Sequence, residues 1–391
     1  MINKETQNLI QFTILTSLDK LLIFILPFYV YFLTSDKLLF NNIEYIYSIA
    51  SLAMIFFELG LKNYLFYGYK INRDKDKFLY EIKLLYNFLI LVYTLILIIA
   101  FLSTKLTSLL IPFFGIRLIF SMLSTFYFSY FRLKDKPSII FYYTVPVNLL
   151  TFILIYFNTN SNHNLSLYHI YILPFLSIIL FNLYQLKNTI LKGKNTQYIL
   201  KALQFSLPVM INLLLMGLIN QFGKLYAYNN LDINEMFDLS LIQRISTIIV
   251  LIHASIVGFF TKKLFMSKSL IEHKNIFKLY FFTILFTALS IYLFIIASNN
   301  INILDINIYL LNIFLIGTMI WCYNAYFELY FNRSNKNRYI PMISLFAFTA
   351  YGIIFTLSED INIIRIGEIY LMSNLTASLF TFYFLRKISL N

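Results

Sequence analysis

The chain has 391 residues, of which 59% are hydrophobic and only 13% are charged, and its mean hydropathy is +0.73. This composition excludes a soluble globular protein, whose surface needs about a quarter of charged residues, and predicts a protein that lipid solvates. The net charge of +13 is typical of basic cytoplasmic loops rather than of nucleic-acid binding, and the single cysteine excludes a disulfide framework.

Apolar stretches long enough to cross a bilayer recur along the whole chain. The short alternating strands of a closed barrel are absent, so each stretch is interpreted as a helix. The predicted fold class is an all-α polytopic membrane protein with twelve transmembrane helices. The predicted segments are residues 9–33, 43–68, 80–103, 107–131, 138–157, 167–186, 202–226, 236–260, 276–298, 306–331, 339–357 and 363–385.

Basic residues in the connecting loops are distributed unevenly between the two sides of these segments. One side holds 23 Lys and Arg residues, whereas the opposite loops hold only Lys37 and Lys105. Because cytoplasmic loops are enriched in Lys and Arg, both termini are predicted to be cytoplasmic.

Charged and polar side chains also lie inside several segments, where a charge at membrane depth is costly and marks function. Segment 1 carries Asp19 and Lys20, segment 2 carries Glu58 and Lys62, and segment 4 carries Arg117. Segments 7, 8 and 10 carry comparable stripes, whose members are Asn220, Gln221, Lys224, Gln243, Arg244, Asn324 and Glu328.

Adding six to the numbers of segments 1, 2 and 4 gives segments 7, 8 and 10. This correspondence predicts two six-helix lobes, at residues 1–190 and 191–391, around a shared central cavity. Cations outnumber acids in the predicted cavity, which is therefore expected to bind an anionic ligand. The cations are Lys20, Lys62, Arg117, Lys224 and Arg244, and the acids are Asp19, Glu58 and Glu328.

Simpler interpretations of single residues remain open. Glu58 and Lys62 are four residues apart, so one alternative is that they only neutralise each other on one helix. His253 and Trp321 are interpreted as packing groups rather than as a proton carrier and a ligand platform. Nucleotide-binding, zinc and hydrolase motifs are absent, so no catalytic residue, cofactor or metal is predicted.

Two segments carry a family resemblance. The first is IEYIYSIASLAMIFFELGLKNYL, with Glu-Tyr, Tyr-Ser-x-Ala and then Glu58-Leu59-Gly60-Leu61. The second opens with Ser206-Leu207-Pro208 and continues to SLIQRIS, where Ser240 and Arg244 stand four residues apart. Both resemble the polysaccharide-unit (O-antigen, Wzx-type) flippases of the multidrug/oligosaccharidyl-lipid/polysaccharide exporter superfamily. That family often has Asp-Arg late in helix 7, where this chain has Gly223 and Lys224.

The resemblance implies a transporter rather than an enzyme, located in the bacterial inner membrane. Its substrate would be an O-antigen or capsule repeat unit on polyprenyl pyrophosphate, moved to the periplasmic leaflet by alternating access. The cations would hold the pyrophosphate, and Asn220, Gln221, Gln243 and Asn324 would meet sugar hydroxyls. Asp19, Glu58 or Glu328 would couple an ion. The implied partners are membrane lipids and a polysaccharide polymerase of the same pathway, without nucleic acid.

Two other functions remain open at this point. A membrane-embedded polysaccharide polymerase of the same pathway would have a similar length and number of segments, but it usually needs a sizeable outer loop. A multidrug/cation antiporter of the same superfamily would favour an acidic cavity, whereas the predicted cavity is basic.

Overall fold

The structure is a computed structural model that describes residues 4–58, 60–103, 110–134, 136–160, 165–185, 196–266, 274–301, 306–333 and 336–389. The described chain forms fourteen α-helices. They are α1 (Lys4–Thr34), α2 (Lys37–Phe57), α3 (Leu61–Ile71), α4 (Lys75–Ser103), α5 (Leu110–Leu133), α6 (Phe141–Asn160), α7 (Leu167–Gln185), α8 (Thr196–Asn230), α9 (Ile233–Ser246), α10 (Ile248–Met266), α11 (Lys274–Asn300), α12 (Ile308–Arg333), α13 (Ile340–Thr356) and α14 (Ile363–Ser389).

These helices make up the twelve predicted segments, and the predicted all-α fold is confirmed. Nine helical stretches of the described chain are long and apolar enough to cross a membrane, and α13 is apolar with 17 residues. The remaining two segments are α1, with 31 residues, and α14, with 27 residues, and both have the length of a membrane span.

The chain divides into two compact units, unit 1 at Met1–Met210 and unit 2 at Ile211–Asn391. This division falls within α8. The boundary predicted between residues 190 and 191 lies in 186–195, outside the described residues.

The surface and the interior of each unit are those of a lipid-solvated protein. Large apolar side chains such as Phe32, Phe286 and Leu379 are 83%, 70% and 71% exposed, which is favourable only against acyl chains. Polar side chains instead join helices inside. In unit 1 the Tyr127 hydroxyl donates to Asn87 Oδ1 at 2.6 Å, linking α5 to α4. Such hydrogen bonds hold helices together where lipid gives no hydrophobic drive.

Segment 2 is broken, so the prediction of one continuous helix in 43–68 was wrong in this respect. In segment 2, α2 ends at Phe57 and Gly60 adopts a left-handed φ of 65° before α3 begins. In segment 8, only Thr247 separates α9 from α10. Its backbone is right-handed helical and its amide donates to the Gln243 carbonyl oxygen at 3.0 Å, so Ile233–Gly258 is one apolar helical stretch, as predicted.

A second correspondence joins segments 3 and 4 with segments 9 and 10. In unit 1 the Tyr86 hydroxyl donates to the Met122 carbonyl oxygen at 2.9 Å, and the Tyr86 ring stacks on Phe126. In unit 2 the Tyr280 hydroxyl donates to the Cys322 carbonyl oxygen at 2.7 Å, and its ring stacks on Tyr326. The two halves thus repeat a contact in which the carbonyl and the stacked ring are four residues apart on the partner helix.

The turn after segments 4 and 10 is repeated as well. The Lys136 amide donates to the Phe131 carbonyl oxygen at 2.9 Å, and the Lys336 amide donates to the Phe331 carbonyl oxygen at 2.9 Å. A 3₁₀ turn then leads into the next segment in both halves, at Pro137–Ile140 and Asn337–Tyr339. These matched details support the two-lobe architecture independently of the polar stripes.

The repeated tyrosines differ in one contact, which gives a testable difference in stability. The Tyr280 hydroxyl also lies 2.7 Å from His253 Nδ1, and because that hydroxyl donates to a carbonyl it must accept from His253. We expect Tyr280→Phe to leave the buried His253 N–H without an acceptor, at a cost of about 1–3 kcal/mol. Tyr86→Phe, the matched control, removes one bond to a helical carbonyl and is expected to cost about 0.5–1.5 kcal/mol.

The measurement is the thermal unfolding midpoint of each purified variant in detergent. Tyr280→Phe should unfold at a lower temperature than Tyr86→Phe. Equal midpoints would contradict the role of His253 as a hydrogen-bond donor between α10 and α11.

Candidate functional site

Five of the predicted site residues come together in unit 1, on α1, at the α2–α3 break and on α5. The charges that act on Lys20 are those of Asp19, Lys62 and Arg117. Lys62 in turn acts on Glu58. We call Asp19, Lys20, Glu58, Lys62 and Arg117 the unit 1 cluster, in which three cations outnumber two carboxylates.

Both acids of the unit 1 cluster are buried and accept a hydrogen bond from a neighbouring helix. Asp19 is 3% exposed and accepts from Asn148 Nδ2 at 3.3 Å. Glu58 is 7% exposed and accepts from Thr125 Oγ1 at 2.6 Å. A buried polar group needs such partners to avoid a desolvation penalty, so these bonds fix the two carboxylates in place.

Glu58 stands at the break itself rather than in a helix. Its backbone caps α2, and Lys62 belongs to α3, beyond the left-handed Gly60. The alternative that Glu58 and Lys62 lie one turn apart on a single helix was therefore wrong. The two side chains still interact electrostatically. At the break, Glu58 and Lys62 lie near the charged residues of α1 and α5.

Arg117 lies on α5, where an aromatic face supports it. Its guanidinium carbon is 4.1 Å from the centroid of the Tyr47 ring. Both residues line a small cavity of about 20 Å³ together with Asn148. That volume holds about one water, and the stacking leaves the N–H edge of the guanidinium as its hydrogen-bonding part.

Four predicted site residues of unit 2 line one larger cavity, of about 180 Å³. They are Asn220, Gln221, Lys224 and Gln243, contributed by α8 and α9. We call this the unit 2 cavity. Its volume is several times the ~10–15 Å³ that one water needs by the same measure, so the cavity has room for more than a single solvent molecule.

Three other predicted residues of unit 2 do not line that cavity. Asn324 contacts α14 through both ends of its amide: its Nδ2 donates to the Asn374 carbonyl oxygen at 3.3 Å, and its Oδ1 accepts from Ser378 Oγ at 2.9 Å. Arg244 follows Gln243 on α9 and is 7% exposed. Glu328 lies beside Asn212 of α8.

The unit 2 cavity also contains residues that the sequence did not single out as ligands. Trp321 and Thr318 come from α12, Tyr370 comes from α14, and Ser246 comes from the end of α9. The spacing of Thr318 and Trp321 places them one turn apart on one face of α12, a signal that could have paired them. Tyr370 lies three and four residues before Ser373 and Asn374 on α14, a polar spacing that could have indicated it.

Comparisons with known proteins support the fold and do not identify a family. No protein-family model matches the chain, and no curated protein matches it. Over 98% of its length, the chain is similar to the outward-facing conformation of a multidrug resistance MATE family transporter of the MOP superfamily. The identity is 12%, 95% of that structure is covered and the TM-score is 0.65.

Two further solved structures agree with this likeness. The inward-facing conformation of a multidrug resistance MATE family transporter of the MOP superfamily has a TM-score of 0.60 at 11% identity, with 96% of this chain and 94% of that chain covered. A MATE in complex with MaD5 has a TM-score of 0.62 at 12% identity, with 98% and 94% covered. Identities this low with nearly complete coverage show a shared fold.

Proposed function

We propose that this protein is a flippase that moves an oligosaccharide, linked by pyrophosphate to a polyprenol, across a bacterial inner membrane. It works by alternating access, and its repeated halves suit that mechanism. The observation that carries the proposal is the unit 1 cluster, in which three cations lie with two carboxylates. Its fold, similar to MATE structures over 98% of the chain, supports a transporter rather than an enzyme.

The unit 1 cluster supports an anionic cargo. Lys20, Lys62 and Arg117 repel one another, and Asp19 and Glu58 offset only part of their charge, so a bound anion would stabilise the cluster. A diphosphate supplies several acceptor oxygens, and a guanidinium binds phosphate with two parallel hydrogen bonds. The unit 1 cluster is therefore the proposed binding site of the pyrophosphate.

The sugar part of the cargo explains why a protein is required. Its hydroxyls would lose their hydrogen bonds to water in hydrocarbon, which costs about 2–7 kcal/mol for each hydroxyl. The amides of Asn220, Gln221 and Gln243 line the unit 2 cavity and offer replacement donors and acceptors. The polyprenol tail stays in lipid throughout.

The membrane potential favours the proposed direction. If both termini are cytoplasmic, as the basic loops predict, export moves an anion away from a negative cell interior. Each unit charge then gains about 2.3 kcal/mol per 100 mV. Asp19, Glu58 and Glu328 remain the proposed groups for any coupled cation, and a polysaccharide polymerase of the same pathway remains the proposed partner.

One specific observation favours this proposal over a cation antiporter of the same fold. A cavity that binds cationic drugs favours carboxylates, whereas the charged side chain that lines the unit 2 cavity is Lys224. A polymerase usually needs a sizeable outer loop, whereas the gaps between the described helices of this chain are short.

The direct test is deletion of the protein in its own cells, followed by analysis of polysaccharide on both sides of the membrane. We expect surface polysaccharide to be lost and lipid-linked repeat units to accumulate on the cytoplasmic leaflet. Restoration by the wild-type protein is the control for secondary mutations.

The alternatives give different results in the same cells. Loss of a polymerase would leave single repeat units exported but not joined. Loss of a drug pump would change resistance to toxins and leave the polysaccharide normal. Either of these outcomes would overturn the flippase proposal.

A further inference from the structure

Positions on α5 and α12 that are 200 residues apart are equivalent in the repeat. The carbonyl oxygens of Met122 and Cys322 each accept the hydrogen bond of a stacked tyrosine. Those of Phe131 and Phe331 each accept from an amide of the turn that follows, with the same spacing. Residues of α5 and α12 at this spacing therefore hold corresponding places in the two units.

The equivalent of Arg117 in unit 2 is Gly317, and an aromatic ring lies there instead of a cation. A Cβ on Gly317 would be 2.6 Å from Cε1 of Tyr370, so the Tyr370 ring fills the space beside the glycine. The equivalent of Ser121 is Trp321, and both aromatic residues line the unit 2 cavity. The helix that contributes a cation to the unit 1 cluster thus contributes an aromatic side chain to the unit 2 cavity, which indicates a different kind of ligand group.

Trp321 is held by its neighbours and still lines the cavity. Its ring lies 5.8 Å from that of His253 in an edge-to-face arrangement, and His253 is itself hydrogen-bonded to Tyr280. A side chain fixed in this way loses little further freedom when a ligand packs on it. The packing role predicted for Trp321 accounts for its contact with His253 but not for its place in the cavity wall.

The hydroxyl groups at the cavity are mostly occupied by the protein itself. Ser246 Oγ donates to the Gln243 backbone carbonyl oxygen at 2.7 Å, and Thr318 Oγ1 lies 3.2 Å from the Tyr370 hydroxyl. Thr318 Oγ1 also lies 3.4 Å from Ser246 Oγ. These bonds hold α9, α12 and α14 together and fix the shape of the cavity. They leave the side-chain amides of α8 and α9 as groups that meet a ligand.

Gln243 has an acceptor that nothing in the described structure satisfies. Its side chain is 7% exposed, yet its Oε1 has no hydrogen-bond partner among the described residues. A buried carbonyl oxygen without a donor is unfavourable, and a ligand hydroxyl would relieve that cost on binding. Gln243 lines the cavity, so the unsatisfied atom indicates a ligand that donates a hydrogen bond there.

A pyranose ring matches this combination of an aromatic surface and an unsatisfied acceptor. Its faces carry C–H groups, which pack on an aromatic ring whose own face is partly negative, and its rim carries hydroxyls that donate and accept. We infer that the unit 2 cavity holds one pyranose ring of the cargo, with a C–H face of the sugar against Trp321 and a hydroxyl donating to Gln243 Oε1. The inference rests on the proposed function for the identity of the cargo, and it makes Trp321 the residue that selects a sugar ring.

Trp321 is the single tryptophan in 391 residues, so its fluorescence reports on this cavity. Purified full-length protein, in a detergent without a sugar headgroup, is titrated with the methyl pyranosides of D-glucose, D-galactose, D-mannose and N-acetyl-D-glucosamine, with D-sorbitol and with inorganic pyrophosphate. We expect a saturable change with at least one pyranoside. Sorbitol, which has hydroxyls but no ring face, should bind about 2- to 12-fold more weakly, the equivalent of about 0.5–1.5 kcal/mol for an aromatic contact.

Variants of Trp321 are compared by saturation-transfer NMR of the sugar protons, which needs no tryptophan. Trp321→Leu should weaken pyranoside binding by about 2- to 12-fold, and Trp321→Phe, which keeps an aromatic face, should retain most of it. Phe282→Leu, at a position of α11 that is 64% exposed, should bind as the wild type does. On the wild-type protein, the C–H protons of one sugar face should receive the most saturation. If Trp321→Leu does not fold, this pattern and the sorbitol comparison still decide the question.

Several results would overturn the inference. They are no saturable response to any pyranoside, equal binding of pyranoside and sorbitol, unchanged binding by Trp321→Leu, and displacement of the pyranoside by pyrophosphate, which would make the cavity a phosphate site. A failed flippase proposal is distinguishable from these results, because deletion would leave surface polysaccharide normal while purified protein still bound a pyranoside. The opposite combination would keep the flippase and remove the sugar ring from the unit 2 cavity.

Discussion

Gly60→Ala is expected to destabilise unit 1 by about 2–5 kcal/mol, because two independent costs meet at this position. The φ of 65° is a left-handed conformation, which costs a residue with a Cβ about 1–2 kcal/mol. The added Cβ would also overlap the Cβ and Oγ of Ser206, a residue with 0% exposure. Relief of such an overlap in a packed interior costs about 1–3 kcal/mol.

The contact between Gly60 and Ser206 joins segment 2, at its break, to α8. Ser206 Oγ donates to the Gly60 carbonyl oxygen at 2.7 Å, and about two turns further along the chain, in α3, the ring of Tyr67 stacks on Phe205 at 4.2 Å. The left-handed residue therefore both ends α2 and brings its backbone against the neighbouring helix. Only glycine satisfies the two requirements together.

The measurement is the temperature at which the monodisperse elution peak in detergent is lost after heating. Gly352→Ala is the matched control, since this helical glycine of α13 has no atom within 4 Å of an added Cβ. Its midpoint should be unchanged or slightly raised, because alanine is the better helix former.

A second variant separates the two costs. Gly60→Ala combined with Ser206→Gly removes the overlap and keeps the left-handed strain, so we expect partial recovery of the midpoint. A Gly60→Ala protein as stable as the wild type would show that Gly60 does not have this conformation.

The fold could be predicted from the sequence because the bilayer imposes few solutions. Runs of about 20 apolar residues must be helices, and the charges of the loops indicate on which side of the membrane each loop lies. The break in segment 2 could not be found in this way, because Gly60 lies within an apolar run that is long enough to cross the membrane as one helix.

The candidate site was predictable by residue type and less so by position. Lys224 and Arg117 could be predicted as site residues because each is a charged residue inside a membrane span, which requires no knowledge of the surrounding side chains. The assignment of residues to one cavity depends instead on tertiary packing. Asn324 shares a polar stripe on α12, but it bonds to Asn374 and Ser378 of α14, whereas Tyr370 of that same helix lines the unit 2 cavity. The sequence contains no pattern for contacts between helices so far apart in the chain.

Arg117→Gln is expected to reduce export of the polysaccharide by about 10- to 100-fold, if the unit 1 cluster holds the pyrophosphate. Hydrogen bonds to a charged group contribute about 1.5–3 kcal/mol, and each 1.4 kcal/mol is a factor of about ten. Arg117→Lys keeps the charge but loses the paired hydrogen bonds and the flat contact with Tyr47, so it should retain intermediate activity. Lys77→Gln, which removes an exposed cation at the start of α4, should export normally.

The stability of Arg117→Gln distinguishes a binding role from a structural one. The substitution removes a cation–π contact of about 0.5–2 kcal/mol with Tyr47, but it also relieves repulsion from Lys20. These two effects oppose each other, so the unfolding midpoint should change by less than about 2 °C while export falls. The measurements are surface polysaccharide per cell, abundance in the membrane and thermal unfolding of the purified variant. Normal export at normal abundance would remove Arg117 from the pyrophosphate site, and a large fall in the midpoint would assign it to the fold instead.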